Sequence, residues 1–332
     1  MRSSFWVWLL PTLLCLGIMS LVATVRARSG QRSPIPRAVA VGASAFPLRI
    51  ERAHARTQTL ARRPERVFLA NATVVDIASE LISADRVVAL PEQALTWSRL
   101  VDVDDGFRAK ARFRSVDSEQ VLAFAPDLIL CSSFNQKFAG DWVEASGIPM
   151  VSLPHPRSID ELREIIRLLG TVLDAETSAG LLDDELGRRI DAIGRAGGAR
   201  RGLGVLVYSN VGAGGYTPGR GTLADDMIRT LGMRNVAADL GKRDYEECTF
   251  EDIIVGAPDF IVVPGRYGEQ ELSTRDLLLD EPALAEVTAV ARRQIVRLHP
   301  RLFSTGSHEI VEAAEQIAAF VDARIAEEAR AK

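Results

Sequence analysis

Short apolar runs alternate with amphipathic stretches along most of the chain. Residues 67–69, 86–90, 127–130 and 150–153 read as buried strands in the first half, and 204–208, 259–263 and 295–298 in the second. Each run is short and rich in Val, Ile and Leu, as strands covered on both faces are. Between them, residues 135–145, 223–231 and 308–325 carry apolar positions at helical spacing. Strands alternating with helices predict an α/β fold with mainly parallel, helix-covered sheets.

The middle of the chain is helical throughout. Ser158 and Glu161 form a capping box ahead of Ile159, Leu162, Ile165, Ile166 and Leu169. A second helix follows Asp174, with Ala175, Ala179, Leu182, Leu186, Ile190 and Ile193 on one face, and Gly197-Gly198 ends it. About 20 helical residues span about 30 Å, the width of a small domain. A helix of that length at the midpoint is placed to join two lobes.

The two halves repeat one another. Residues 119–130 (EQVLAFAPDLIL) and 251–262 (EDIIVGAPDFIV) match in Glu, Ala, Pro, Asp and Ile at one constant offset of 132 residues. Each copy reads as a short helix, a break at Pro and a strand. The 332 residues therefore divide into two lobes of similar topology, 64–157 and 199–332, with the connecting helices at 158–198.

The N-terminus is different. Arg2 precedes a nearly uncharged run, residues 3–25, and Val25-Arg26-Ala27 offers a small-residue cleavage site. Residues 1–27 read as a secretory signal peptide or, uncut, as a membrane anchor. Cys15 lacks the small residues that precede a lipidated cysteine. Residues 28–63, rich in Arg, Ala, Ser and Pro, read as a linker ending in a short hairpin near residues 48–60. Cys131 and Cys248 occupy dissimilar places in the pattern and read as two separate buried thiols.

A net charge of −4 with mixed signs shows no concentrated basic excess, which argues against nucleic-acid binding. A glycine-rich turn, residues 212–222, follows a strand as a phosphate loop would. It carries Arg220-Gly221-Thr222 where that loop needs Lys followed by Ser or Thr. No Gly-x-Ser-x-Gly nucleophile elbow is present, and no catalytic residue is assigned.

The chain resembles the helical-backbone periplasmic binding proteins, the solute-binding proteins of ABC importers for ferric siderophores, haem or cobalamin. The resemblance covers about residues 64–325. It rests on Pro64-Glu-Arg-Val67, the Pro126-Asp127 strand entry, Gly147-Ile-Pro149, Leu168-Leu-Gly170, residues 182–193, Gly221-Thr222 through Leu231-Gly232-Met-Arg-Asn235, Asp280-Glu-Pro282 and Val311-Glu-Ala-Ala314. It implies two Rossmann-like lobes joined by a long interlobe helix. It also implies a monomer outside the cytoplasm, periplasmic or otherwise extracytoplasmic, that delivers a small metal chelate to an ABC permease of the inner membrane. No resident metal or cofactor is implied beyond the transported ligand. The alternative is a membrane-anchored ligand sensor or scaffold of the same fold.

Within that resemblance, Glu119 and Glu251 match the acidic residue on each lobe that meets permease arginines. The plainer reading is that each favours a helix N-terminus. Ligands of open α/β sheets collect beyond the carboxyl ends of the strands. The loops there place Asn71, Trp97, Arg99, Phe134, His155, Tyr216, Arg220, Tyr267, His299 and Phe303 in the candidate cleft, with Arg266 and Arg301 beside them. Aromatic walls suit large chelates, and arginine suits carboxylate or catecholate groups. His155 and His299, each followed by Pro, could face one another across the cleft and ligate haem iron or a bare metal ion, or serve as polar lining and helix caps. Tyr208, Tyr216 or Tyr267 could be axial haem ligands.

Overall fold

The structure, a computed structural model, describes residues 34–51, 57–99, 104–133, 146–210, 214–265 and 273–331. The N-terminal apolar run and residues 135–145 lie outside these. Ile35–Lys332 forms one compact unit.

Folding begins before Pro64. Strands β1 (Arg37–Ala40), β2 (Leu48–Glu51) and β3 (Gln58–Leu60) form an antiparallel sheet in the segment expected to be linker. The hairpin expected near residues 48–60 thus gains a third strand. The cause is legible in Leu48-Arg49-Ile50: Leu48, Ile50 and Leu60 are buried in the main core, and Arg49 points outward.

The first lobe contains β4 (Val67–Leu69), α1 (Ala72–Leu81), β5 (Val87–Pro91), β6 (Ala111–Phe113), α2 (Ser118–Ala123), β7 (Leu128–Ser132) and β8 (Met150–Leu153). All strand pairs in it are parallel, and the order is β6-β5-β4-β7-β8. The order reverses between β4 and β7, where an open α/β sheet leaves a crevice beyond its carboxyl ends. Both faces are covered, so β4, β7 and β8 are almost wholly buried.

Helix α3 (Ile159–Leu173) is capped by Ser158, as the capping residues predict, and ends at Asp174 in the left-handed region. Helix α4 (Glu176–Arg195) turns back against it. Gly170 permits the tight turn: a Cβ there would lie 2.5 Å from the Cβ of Ala179. Asp183 of α4 accepts hydrogen bonds from Arg163 (2.5 Å) and Arg167 (2.8 Å) of α3. Those guanidinium groups hold its carboxyl below the ordinary carboxylate range, against the opposing effect of burial.

The second lobe contains β9 (Gly204–Val207), β10 (Ser209–Asn210), β11 (Gly215–Pro218), α5 (Leu223–Thr230), β12 (Arg234–Asn235), β13 (Tyr245–Glu247), α6 (Phe250–Gly256), β14 (Phe260–Pro264), β15 (Ile295–Leu298) and α7 (Ile310–Ala331). Its main sheet is parallel in the order β12-β9-β14-β15. Strands β10, β11 and β13 form a separate antiparallel sheet. Helix α4 packs on α1 of the first lobe and on α7 of the second, which makes it the interlobe helix. Arg189 of α4 donates to both carboxylate oxygens of Glu315 on α7, at 2.9 and 2.6 Å.

The repeat holds at atomic detail. Asp117 and Thr249 cap α2 and α6, and Ala125 and Ala257 end them at positive φ (45° and 40°). Asp127 then accepts from the backbone N–H groups of Glu65 (2.9 Å) and Arg66 (2.8 Å), and Asp259 from that of Gly204 (2.6 Å). Each aspartate fastens the start of one strand to the start of its neighbour. Asp127→Ala and Asp259→Ala are each expected to cost about 1–3 kcal/mol, because charge-assisted bonds to backbone are lost. Sites so far apart should add. Urea unfolding of the single and double variants checks both numbers.

Candidate functional site

Contacts between the lobes bring the carboxyl ends of the two parallel sheets together. After β8, the chain carries His155, Pro156 and Arg157 toward the second lobe. The His155 ring lies 6.3 Å from the ring of Tyr245, edge to face. Arg157 pairs with Asp244 at 2.5 Å. The backbone N–H of Ile159 donates to Asp226 on α5 at 2.9 Å. Gly306 sits beneath His155; a Cβ there would lie 2.8 Å from its Cε1 and 3.3 Å from the Thr73 hydroxyl.

His155 and Tyr245 are both exposed. Desolvation by the surrounding protein lowers the pKa of His155, and the charge of Arg157 adds to the effect. Desolvation likewise raises the pKa of the Tyr245 phenol.

A buried polar junction also links the lobes. Asp76 of α1 accepts from Ser98 (2.5 Å) of its own lobe and from Ser307 (3.1 Å) of the other. Burial raises its pKa to about 7. Glu309 pushes it the same way, while the two serine hydrogen bonds and Arg301 oppose. Glu309, itself raised by burial, pairs with Arg301 and with Arg99 (3.5 Å), so a second bridge joins the lobes. His308 lies against Glu309 (3.6 Å) and Glu80 (3.9 Å). Burial lowers its pKa to about 4, which leaves it neutral there.

The residues expected in the cleft fall into distinct groups. Tyr216 is exposed on β11, and His155 is exposed just after β8. Arg99 is engaged with Glu309, and Arg301 with Glu309 and Glu312. Asn71 caps α1 by accepting from Val74 N (3.1 Å). His299 caps the short helix Pro300–Phe303, accepting from Arg301 N (3.3 Å). Phe303 packs against the main core, and Trp97, half-buried, ends the short helix Ala94–Trp97 that packs on Pro300–Phe303. Arg220 is exposed and donates to the Ala238 carbonyl at 3.4 Å. Phe134, Arg266 and Tyr267 lie outside the described residues. Tyr208 is buried, donating no surface to the cleft, and its hydroxyl accepts from Asn210 (2.9 Å).

Tyr245, Arg157 and Asp244 are absent from the sequence reading. Asp244 at positive φ (50°) marks a turn, but β13 has three exposed residues and no apolar pattern to announce a strand. Its place comes from pairing with β11. Cys131 and Cys248 are both buried, and burial pushes the Cys248 thiol up to about 11. Among the described residues no group of three or more His, Cys, Asp or Glu is placed to hold a metal ion, and no helix is long and apolar enough to cross a membrane.

Comparison with known proteins agrees with this architecture. An uncharacterized ABC transporter substrate-binding lipoprotein of Bacillus subtilis, YvrC, is 21% identical over 279 residues, 82% of this chain and 85% of the relative. Among solved structures, a periplasmic binding protein from Veillonella parvula superposes with a TM-score of 0.71 at 14% identity, covering 84% of this chain and 98% of its own. An ABC-type Fe3+-hydroxamate transport protein from Saccharomonospora viridis gives 0.68 at 24% identity, covering 83% and 99%. The periplasmic haem-binding protein HutB of Vibrio cholerae gives 0.67 at 21%, covering 77% and 98%. The sequence profile described as "Periplasmic binding protein" matches residues 67–302. With two parallel-sheet lobes and an interlobe helix, the chain belongs to the periplasmic binding protein family.

Proposed function

We propose that the chain captures a metal chelate, a ferric siderophore first, with cobalamin and haem as the other classes, in the cleft between His155 and Tyr245. It then delivers the chelate to a membrane permease. The observation that carries this is the His155–Tyr245 contact across the lobes: two exposed aromatic rings, one following β8 of the first lobe and one on β13 of the second. Solved relatives of this fold include proteins described as Fe3+-hydroxamate and haem binders. The cleft supplies binding surface, and binding rather than catalysis is the role proposed. Residues 1–27 would export the chain, as a cleaved signal or a retained anchor.

Delivery is assigned to Glu119 and Glu251. They occupy equivalent positions on α2 and α6, both exposed. Each has an exposed aliphatic residue three positions on, Leu122 (47% exposed) and Ile254 (44%). A matched pair of acidic points beside apolar contacts suits a partner with two equivalent cationic sites.

Intrinsic fluorescence titration with ferrioxamine B, ferrichrome, ferric enterobactin, haemin and cyanocobalamin tests the reading. Saturable quenching by at least one at sub-micromolar concentration is expected. Folded protein that responds to none would contradict it.

A further inference from the structure

We infer that the contact between Asp76 of α1 and residues 307–309 at the head of α7 is a proton-operated latch between the lobes: it holds while Asp76 carries a proton and loosens when that proton leaves. The inference does not depend on which solute the cleft takes.

Five polar side chains meet across the lobe boundary, shut off from solvent. Asp76 and Ser98 come from the first lobe, and Ser307, His308 and Glu309 from the second; none is more than 8% exposed. Such a patch is destabilising unless each group is matched. Ser98 and Ser307 take up the two carboxyl oxygens of Asp76, one from each lobe. The Thr305 hydroxyl lies 2.9 Å from that of Ser307, and the Glu309 N–H donates to the Ser307 hydroxyl at 3.3 Å. His308 is less well served: its Nδ1 is buried with no hydrogen-bond partner among the described residues.

The charges balance when the proton is present. Arg99 and Arg301 supply two positive charges, and Glu309 and Glu312 two negative ones. Arg189 of α4 is paired with Glu315 of α7, and Glu80, one turn along α1, is exposed beside His308, which is neutral. An ionised Asp76 therefore adds a negative charge with no cation of its own. Glu309, the acid that acts on it, lies on the other lobe, and Arg301, which acts in the opposite sense, is already shared by two carboxylates. Repulsion between Asp76 and Glu309 thus acts across the lobe boundary, in surroundings that screen it poorly. Parting α1 from the head of α7 admits water, relieves that repulsion and gives the His308 Nδ1 a partner.

Burial keeps the proton on Asp76 up to about pH 7, and parting returns the group toward its ordinary value of 3.8. Between those values parting releases a proton, so rising pH favours the parted form. Below 3.8 and above about 7 this group no longer makes the balance depend on pH.

The test is the distance between spin labels on the full chain, read by pulsed electron resonance at pH 5 and pH 8. The labels sit at Ser83→Cys, just after α1, and Ala319→Cys on α7, both exposed; Cys15 is replaced by Ser, and Cys131 and Cys248 are buried. The ratio of long-distance to short-distance molecules is expected to rise about tenfold or more from pH 5 to pH 8. Asp76→Asn, which cannot ionise, is expected to hold that ratio constant within about twofold. Glu309→Gln keeps hydrogen-bonding capacity for the arginines but removes the opposing charge, and is expected to cut the rise at least about threefold. A wild-type distance distribution that is the same at both pH values overturns the latch. So does a rise in Asp76→Asn or in Glu309→Gln equal to that of wild type.

Discussion

Charge reversal at both Glu119 and Glu251 is expected to abolish chelate uptake while leaving chelate affinity unchanged. Both side chains are exposed, and neither forms an ion pair among the described residues. Both sit in the first turn of a short helix, where a carboxylate adds at most about 1 kcal/mol of dipole stabilisation. Folding therefore does not depend on them, and a Lys at either position should lower thermal stability only slightly. A docking partner with cations opposite would instead meet two like-charge contacts, each worth several kcal/mol. Each single variant should lower uptake about tenfold or more, and the double variant should remove it. The assay is uptake of radiolabelled ferric chelate by cells carrying the substitutions, with the protein level checked. Uptake equal to wild type in the double variant would refute the docking role.

Replacing Asp76 by Asn is expected to stabilise the protein at pH 8 and to have little effect at pH 4. The pKa of Asp76 is raised from 3.8 to about 7, chiefly by burial. Its ionised form is therefore disfavoured in the folded chain. Below pH 3.8 the group is protonated in both states and costs nothing. As pH rises from there toward 7, the unfolded chain releases the proton and the folded chain keeps it, so stability falls. Above about 7 the loss is complete, on the order of 4 kcal/mol at most. Asn keeps the shape, can accept from Ser98 and can donate to Ser307, but never ionises. Thermal melts from pH 4 to pH 8 should show the variant and wild type diverging through that window. A variant that is less stable at every pH would mean that Asp76 is held as a needed anion by Arg301.

The repeat at 119–130 and 251–262 was legible because equivalent residues do the same local work: a cap, a left-handed alanine and a strand-fastening aspartate, in each copy. Strands β4 and β8 coincide with the expected runs because burial on both faces leaves a continuous apolar signal. Strand β13 has no such signal. Its Tyr-Glu-Glu is ordered by a partner nearly thirty residues away, and with it the tyrosine that faces His155 was hidden. The arginines show the same limit from the other side. Their positions beyond the strand ends could be read, but their engagement with Glu309, Glu312 and Asp244 depends on contacts that local pattern does not encode. One signal was available: Asp76 stands among Val74, Val75, Ile77 and Ala78, all buried, and a carboxylate in such company marks a polar junction.

The position of the iron in a co-crystal with a ferric hydroxamate, located by its anomalous scattering, tests the central claim most directly. The account predicts a single strong peak between the lobes, within contact distance of a chelate lying on Tyr216 and Tyr245 and facing His155. Iron bound elsewhere on the chain, with the cleft empty, would contradict it.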